Sequence, residues 1–232
     1  AGYPAEIEIT LPENMLAIPF GSSEAEVVAE HEDGTRTWRY EHNGAGGILY
    51  AGDYIREDIE AGGMTIQFYY GRKHQAVMEA AKAVDAVKEV VDYCTEHYGS
   101  LSFGTGETLK LIQSRVAGGG YATTGASLLD EADFTAANLG NTEKGGGAGE
   151  VMIHELVHQW WGLGNMFDTF DSTSPWSAEG LTVYTTYRIV KELYGEDYAR
   201  EHYVDQWQKA VDDYYLNFYV RNPEYLEMLP EQ

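Results

Sequence analysis

The chain has 232 residues with 15 basic and 38 acidic side chains, so its formal net charge is −23. A surface this acidic repels nucleic acid and anionic membranes, and we expect neither as a partner. No run of about 18 apolar residues occurs, so no transmembrane helix is predicted, and the length allows one large or two small domains.

The N-terminal part of the chain is predicted to form an antiparallel β segment over residues 1–70. Apolar and polar residues alternate over 6–11, 35–40 and 64–69, as they do in strands with one buried face. Asp33-Gly34 is a typical hairpin-turn dipeptide. Because the chain starts at Ala1 and no signal peptide is visible, we expect it to be part of a longer protein.

Helices and further strands follow this segment. Apolar residues recur every three or four positions over 72–98, which predicts one long helix. Strands are predicted over 108–114 and 125–130, and a loop rich in glycine, asparagine and threonine over 131–149. The predicted fold class is therefore α+β.

The most informative motif is His154-Glu155-Leu156-Val157-His158. Apolar neighbours and an acid at Glu150 predict a helix that starts after the glycine run and ends near Gly162. Histidines four residues apart project from the same face of a helix, so His154 and His158 can share one zinc ion. Glu155 lies one step around the helix, where it can hold a water on that ion.

A second helix is predicted to supply the third ligand. It opens near Ser174-Pro175 or Ser177, which are good N-terminal residues, and runs to about Tyr194. Glu179 lies in its first turn, within Trp176-Ser177-Ala178-Glu179-Gly180. Three protein ligands and an open position are what a hydrolytic zinc requires. A last helix is predicted over 196–219, before Asn222-Pro223.

The string His-Glu-Leu-Val-His-Gln-Trp-Trp-Gly, which ends at Gly162, resembles the aminopeptidase N family of zinc peptidases, the gluzincins with a thermolysin-like catalytic domain. The later Glu179-Gly180 resembles the element that supplies the family's third ligand, although the loop before it is two residues longer than usual. The resemblance implies that 1–70 is the end of the family's N-terminal β-domain. It also implies that 71–232 is the catalytic domain, a small mixed sheet plus helices.

The same resemblance implies the roles of the motif residues. His154, His158 and Glu179 would bind Zn²⁺, one ion per chain. Glu155 would be the general base that takes a proton from the metal-activated water and passes it to the leaving amine. The implied function is zinc-dependent hydrolysis of peptide bonds, with a peptide as the substrate.

A weaker resemblance lies upstream. The run that starts Gly119-Gly120-Tyr121-Ala122 is similar to a family motif on an edge strand that pairs with the substrate backbone, which implies that these four residues bind substrate. The family's glutamate, which holds the substrate's free amino terminus, falls at Ala122. Alanine has no charge to offer an ammonium group. The sequence therefore leaves open whether the enzyme is an exopeptidase or an endopeptidase.

Other assignments also stay open. A non-catalytic peptide- or zinc-binding module on the same scaffold, or a structural domain with a chance motif, would fit parts of the sequence. Asp168 or Asp171 could accept a hydrogen bond from a ligand imidazole, or could cap the loop. The family's oxyanion-stabilising tyrosine has no recognisable motif here, and the candidates are Tyr214, Tyr215, Tyr219 and Tyr225.

Overall fold

The computed structural model describes residues 3–19, 21, 23–44, 49–101, 108–115, 119–135, 139, 147–167 and 176–228. The chain divides into two compact units, Ala1–Thr186 and Tyr187–Gln232. Both strands and helices are present in the first unit, which confirms the α+β class. None of the described helices is long and apolar enough to cross a membrane.

Seven strands make up the N-terminal part of the first unit. They are β1 (Tyr3–Pro12), β2 (Leu16–Pro19), β3 (Glu26–Glu30), β4 (Thr35–Gly44), β5 (Leu49–Gly52), β6 (Tyr54–Ala61) and β7 (Met64–Gly71). The first five pair antiparallel, as β1-β4-β3 and β2-β5. Asp33 and Gly34 lie in the turn between β3 and β4, where Gly34 takes a positive φ of 78°. The predicted antiparallel segment and its hairpin turn are thus confirmed.

A five-stranded mixed sheet positions the functional residues. It continues from β6 and β7 with β8 (Thr108–Ser114), β9 (Gly120–Thr123) and β10 (Ala126–Asp130), in the order β6-β7-β8-β10-β9. The central strands β7, β8 and β10 run parallel and are almost continuously buried, which is typical of parallel strands covered on both faces. The short antiparallel β9 is an outer strand of this sheet. The domain boundary predicted after residue 70 stays a prediction.

The long helix predicted over 72–98 is wrong in one respect, because the chain breaks it at Lys82. Helix α1 (Gln75–Ala81) and helix α2 (Ala83–Tyr98) meet at this residue, which has a left-handed φ of 52°. Lysine is a good helix former, so helix propensity gives no sign of the break. Helix α2 ends at Tyr98, and Gly99 follows with a positive φ of 83°, which a glycine adopts without steric cost.

The motif helix, α3, spans Gly147–Val157 and therefore includes the last three residues of the predicted loop. The helix ends at Val157, whereas the sequence predicts an end near Gly162. The amides of Gln159 and Trp160 bond to carbonyls only three residues back, at 3.0 and 2.9 Å, which tightens the chain into a turn. Two short strands follow, β11 (Trp161–Gly162) and β12 (Met166–Phe167).

The helix that carries Glu179 begins with a π-helical turn, Trp176–Gly180, and continues as α4 (Leu181–Tyr194). Ser174 and Pro175, where this helix could also begin, lie outside the described residues. In the second unit, the predicted helix over 196–219 is in fact three segments. They are α5 (Glu196–Ala199), a π-helical turn (Arg200–Val204) and α6 (Asp205–Arg221), which ends two residues beyond the predicted end at 219 and directly before Asn222.

Candidate active site

His154 and His158 occupy successive turns of the same helix face. Their Nε2 atoms are 3.0 Å apart, and the two rings meet edge to face with centroids 4.6 Å apart. The other faces of helix α3 carry buried apolar side chains, including Met152, Ile153 and Leu156, which hold the helix in the core. The spacing of the motif and the burial of this helix together fix where both imidazoles point.

Glu179 reaches the two histidines from the π-helical turn. Its Oε2 lies 3.3 Å from His154 Nε2 and 3.5 Å from His158 Nε2. Four-coordinate zinc with ligands at about 2.1 Å requires ligand atoms about 3.4 Å apart, so the observed separations suit a tetrahedral ion. Among the described residues, this trio forms a group that could hold a metal ion.

The protonation of His154 also suits a metal ligand. Burial, and then the neighbouring His158, lower the pKa of His154, which favours the neutral imidazole that binds metals. Nε2 of His158 faces His154 and Glu179. Nδ1 of the same ring faces the Trp161 carbonyl and the Thr182 hydroxyl, both at 3.2 Å. Such a partner orients a ligand imidazole. Asp168 and Asp171 lie outside the described residues.

Thr182 was not identified from the sequence. It is fully buried, three residues after Glu179, so one turn of helix carries a candidate metal ligand and the hydrogen-bond partner of another candidate, His158. The only available signal was this spacing of three, which places two side chains on the same helix face. A threonine at such a position is too common to be recognised by type alone.

Glu155 is 7% exposed and lies against strand β9. A Cβ atom built on Gly120 would come within 2.3 Å of Glu155 Cγ and 2.6 Å of Oε1, so the glutamate fills the place of a side chain. Burial, and then the charge of Glu179, raise the pKa of Glu155 to about 7. A carboxyl group with a pKa near neutrality is suited to exchange protons at neutral pH.

A cavity of about 340 Å³ brings the predicted residues together. It is lined by the metal-binding trio, the general-base candidate, part of strand β9 and small neighbours, namely His154, His158, Glu179, Glu155, Gly120, Tyr121, Ala122, Gly162, Leu163 and Ala178. Gly119 is not among the lining residues, and its carbonyl accepts a hydrogen bond from Asp130 N at 2.8 Å. Three of the four predicted substrate residues therefore border the cavity, and their role in binding stays a prediction.

The strand register explains how these three residues are arranged. Gly120 pairs with Leu129 and Ala122 with Ser127, so both point to the face that carries α3, whereas Tyr121 points to the opposite face. Tyr121 is nevertheless 56% exposed, at the rim of the cavity.

Trp160 is completely buried and donates to the Gly99 carbonyl at 2.7 Å, so its role is packing. Tyr214, Tyr215, Tyr219 and Tyr225 belong to the second unit, and an oxyanion-stabilising role for any of them stays a prediction.

Comparison with known proteins identifies the group to which this site belongs. The sequence model described as "Peptidase family M1 domain" matches residues 82–217. A curated relative, leucine aminopeptidase 2 from Emericella nidulans, is 31% identical over 81 residues, which are 35% of this chain and 12% of that protein.

Solved structures give the same result for the fold. An M1 zinc metallopeptidase from Deinococcus radiodurans superposes with a TM-score of 0.54 at 18% identity, covering 88% of this chain and 43% of that one. A mutant M1 zinc metallopeptidase from the same organism, bound to a Tyr-Ser-Ala substrate, has a TM-score of 0.50 at 16% identity, covering 88% and 44%. The chain thus spans less than half the length of the relatives it matches.

Proposed function

The chain belongs to peptidase family M1, and we propose that it hydrolyses peptide bonds with one bound Zn²⁺ per chain and with Glu155 as the general base. One observation carries the proposal: three potential ligand atoms converge at zinc-like separations in the same cavity as a buried glutamate. The net charge of −23 fits a peptide substrate better than a nucleic acid.

His154, His158 and Glu179 would hold the zinc. When bound, the ion supplies a Lewis acid that polarises the scissile carbonyl and lowers the pKa of a water molecule. Glu155 accepts the proton of the attacking water and then delivers it to the leaving amine. Its burial keeps this proton away from bulk solvent during the transfer.

Strand β9 is proposed to bind the substrate backbone. Strand β9 is an outer strand among those described, and the bond from Asp130 N to the Gly119 carbonyl fixes the alternation of its backbone groups. The amides and carbonyls of Gly120 and Ala122 therefore face outward, where an extended peptide can add as a further strand, whereas those of Tyr121 face Leu128. Ala122 stands where the family resemblance expects the glutamate that binds a free amino terminus. The proposed activity is therefore aminopeptidase-like in its chemistry, without this particular anchor for the amino terminus.

Metal analysis on protein purified without chelator is the first test. We expect one zinc per chain in the wild type and in Glu155→Gln, and none in His158→Ala. Only the wild type should cleave a broad library of internally quenched peptides. Bound zinc without any cleavage, together with an unchanged result for Glu155→Gln, would refute the peptidase proposal.

The replacement at Ala122 also favours a second candidate, a non-catalytic module that binds peptides or zinc on the same scaffold. Such a module would bind labelled peptides tightly, and Glu155→Gln would alter neither binding nor turnover. Comparing matched peptides with free and acetylated amino termini separates the remaining possibilities. An enzyme without the anchor should cleave both forms at rates within about twofold, since no ammonium pairing is lost.

A further inference from the structure

A buried hydrogen-bond network links strand β9 to the metal-binding helix. Gln159, which follows His158 directly, is completely buried. Its Oε1 accepts from Gly125 N at 3.0 Å, and its Nε2 donates to the Thr123 carbonyl at 2.9 Å and to Ser127 Oγ at 3.2 Å. One side chain thus bonds to three points of the β9–β10 hairpin.

Ser127 completes the connection from the other side. It is also completely buried, and its Oγ donates to the backbone carbonyl of Glu155 at 2.8 Å. The hydroxyl therefore uses its one donor to bond to the helix and one of its two acceptor positions to bond to Gln159. The hairpin is bonded to the backbone of the general base and to the residue next to a zinc ligand.

The turn of this hairpin depends on the same network. Thr123 and Ala126 are paired, so Thr124 and Gly125 form a two-residue turn, in which Gly125 has a φ of 81°. The amide of Gly125 donates to Gln159 Oε1, and the carbonyl of Gly125 accepts from Lys110 N at 3.0 Å. Without Gln159, the buried amide of Gly125 would lose its partner and the half-buried carbonyl of Thr123 would lose one hydrogen bond.

We propose that Gln159 and Ser127 are positioning residues that hold the substrate-binding strand β9 at a fixed distance from zinc and Glu155. The inference rests on the proposed function, because only a peptide paired with β9 would need this alignment. A fully satisfied buried network of this kind favours one discrete arrangement over a range of strand positions. The effect should depend on substrate length, since a longer peptide contacts more of the strand.

The test compares a hexapeptide that can span β9 with a dipeptide amide, using Gln159→Met, Ser127→Ala and the control Tyr54→Phe. The control removes one hydrogen bond to a backbone carbonyl of strand β8, from Tyr54 OH to Gln113 O at 2.7 Å, which is not part of the network of Gln159 and Ser127. Zinc content, KM and kcat are measured for each protein, together with hydrogen exchange of the Gly125 amide and anisotropy of a labelled hexapeptide.

We expect Gln159→Met to retain zinc and to raise the hexapeptide KM roughly tenfold, because a displacement near 1 Å is enough for such losses. The dipeptide KM should change less than about twofold, Ser127→Ala should have an intermediate effect, and Gly125 exchange should accelerate in Gln159→Met. Equal increases for both peptides, or the same increase in Tyr54→Phe, would overturn the inference. If the zinc-loaded wild type cleaves neither peptide, the proposed function fails. The positioning role is then decided by whether Gln159→Met speeds the hydrogen exchange of the Gly125 amide and raises the Kd of the labelled hexapeptide.

Discussion

Replacing Gly120 by alanine tests whether the close contact between strand β9 and Glu155 matters for activity. The added Cβ would lie 2.3 Å from Glu155 Cγ and 2.6 Å from both Cδ and Oε1. Since carbon atoms in contact need about 3.5 Å, the glutamate must move by about 1 Å. A displacement of this size in a reacting group can cost about 100-fold in rate, or about 2.7 kcal/mol in the activation barrier.

The assay measures kcat on a cleaved peptide, zinc content and melting temperature for Gly120→Ala and for the control Gly71→Ala. A Cβ on Gly71 would meet its nearest neighbour, Gln113 Oε1, at an ordinary 3.5 Å. We expect both variants to bind one zinc, because the atoms nearest to each added methyl group belong to residues other than the three proposed ligands. Only Gly120→Ala should lose about 100-fold in kcat. A kcat for Gly120→Ala within twofold of the wild-type value would refute the reasoning.

Three further predictions concern the metal and a buried lysine. Thr182→Val removes a hydrogen-bond partner of His158 Nδ1, so the zinc affinity, measured by competition with a chelator, should fall about tenfold. An unchanged zinc affinity would assign the orientation of His158 to the Trp161 carbonyl alone. Removing zinc with a chelator should lower the melting temperature, and zinc should restore it in a concentration-dependent way that is absent in His158→Ala. Lys110 donates to the carbonyls of Pro19 and Ser23, and burial lowers its pKa from 10.5 to about 8. Between these two values the unfolded chain binds a proton that the folded chain does not, so this lysine should make stability rise with pH by at most about 1.4 kcal/mol per unit. Urea unfolding from pH 8 to 10 should show that rise in the wild type relative to Lys110→Met, and parallel curves would contradict it.

The metal group could be predicted from sequence because its geometry is mostly local. Two histidines separated by one helical turn fix two ligand positions before any tertiary structure is known. Glu179 required a second helix start and a family resemblance, and the structure brings its carboxylate within 3.5 Å of both histidines.

The residues that could not be predicted act through tertiary pairing. Gly120 faces Glu155 only because the register places it opposite Leu129, and a glycine run in a sequence gives no register. Gln159 looks like any polar residue at a helix end until the hairpin is placed beside it. The break at Lys82 was also invisible, because it depends on one backbone dihedral at a residue that favours helices.

The outer position of strand β9 has a consequence for the behaviour of the protein in concentrated solution. Among the described strands, β9 has one unpaired edge, and an edge that could accept a peptide could equally pair with the edge of another molecule, which is how sheet proteins begin to aggregate. The strand is only four residues long, Gly120–Thr123, and it begins with a glycine, which weakens any such pairing between molecules. A peptide that binds tightly to β9 should therefore inhibit the proposed peptidase activity and also slow the self-association of the protein.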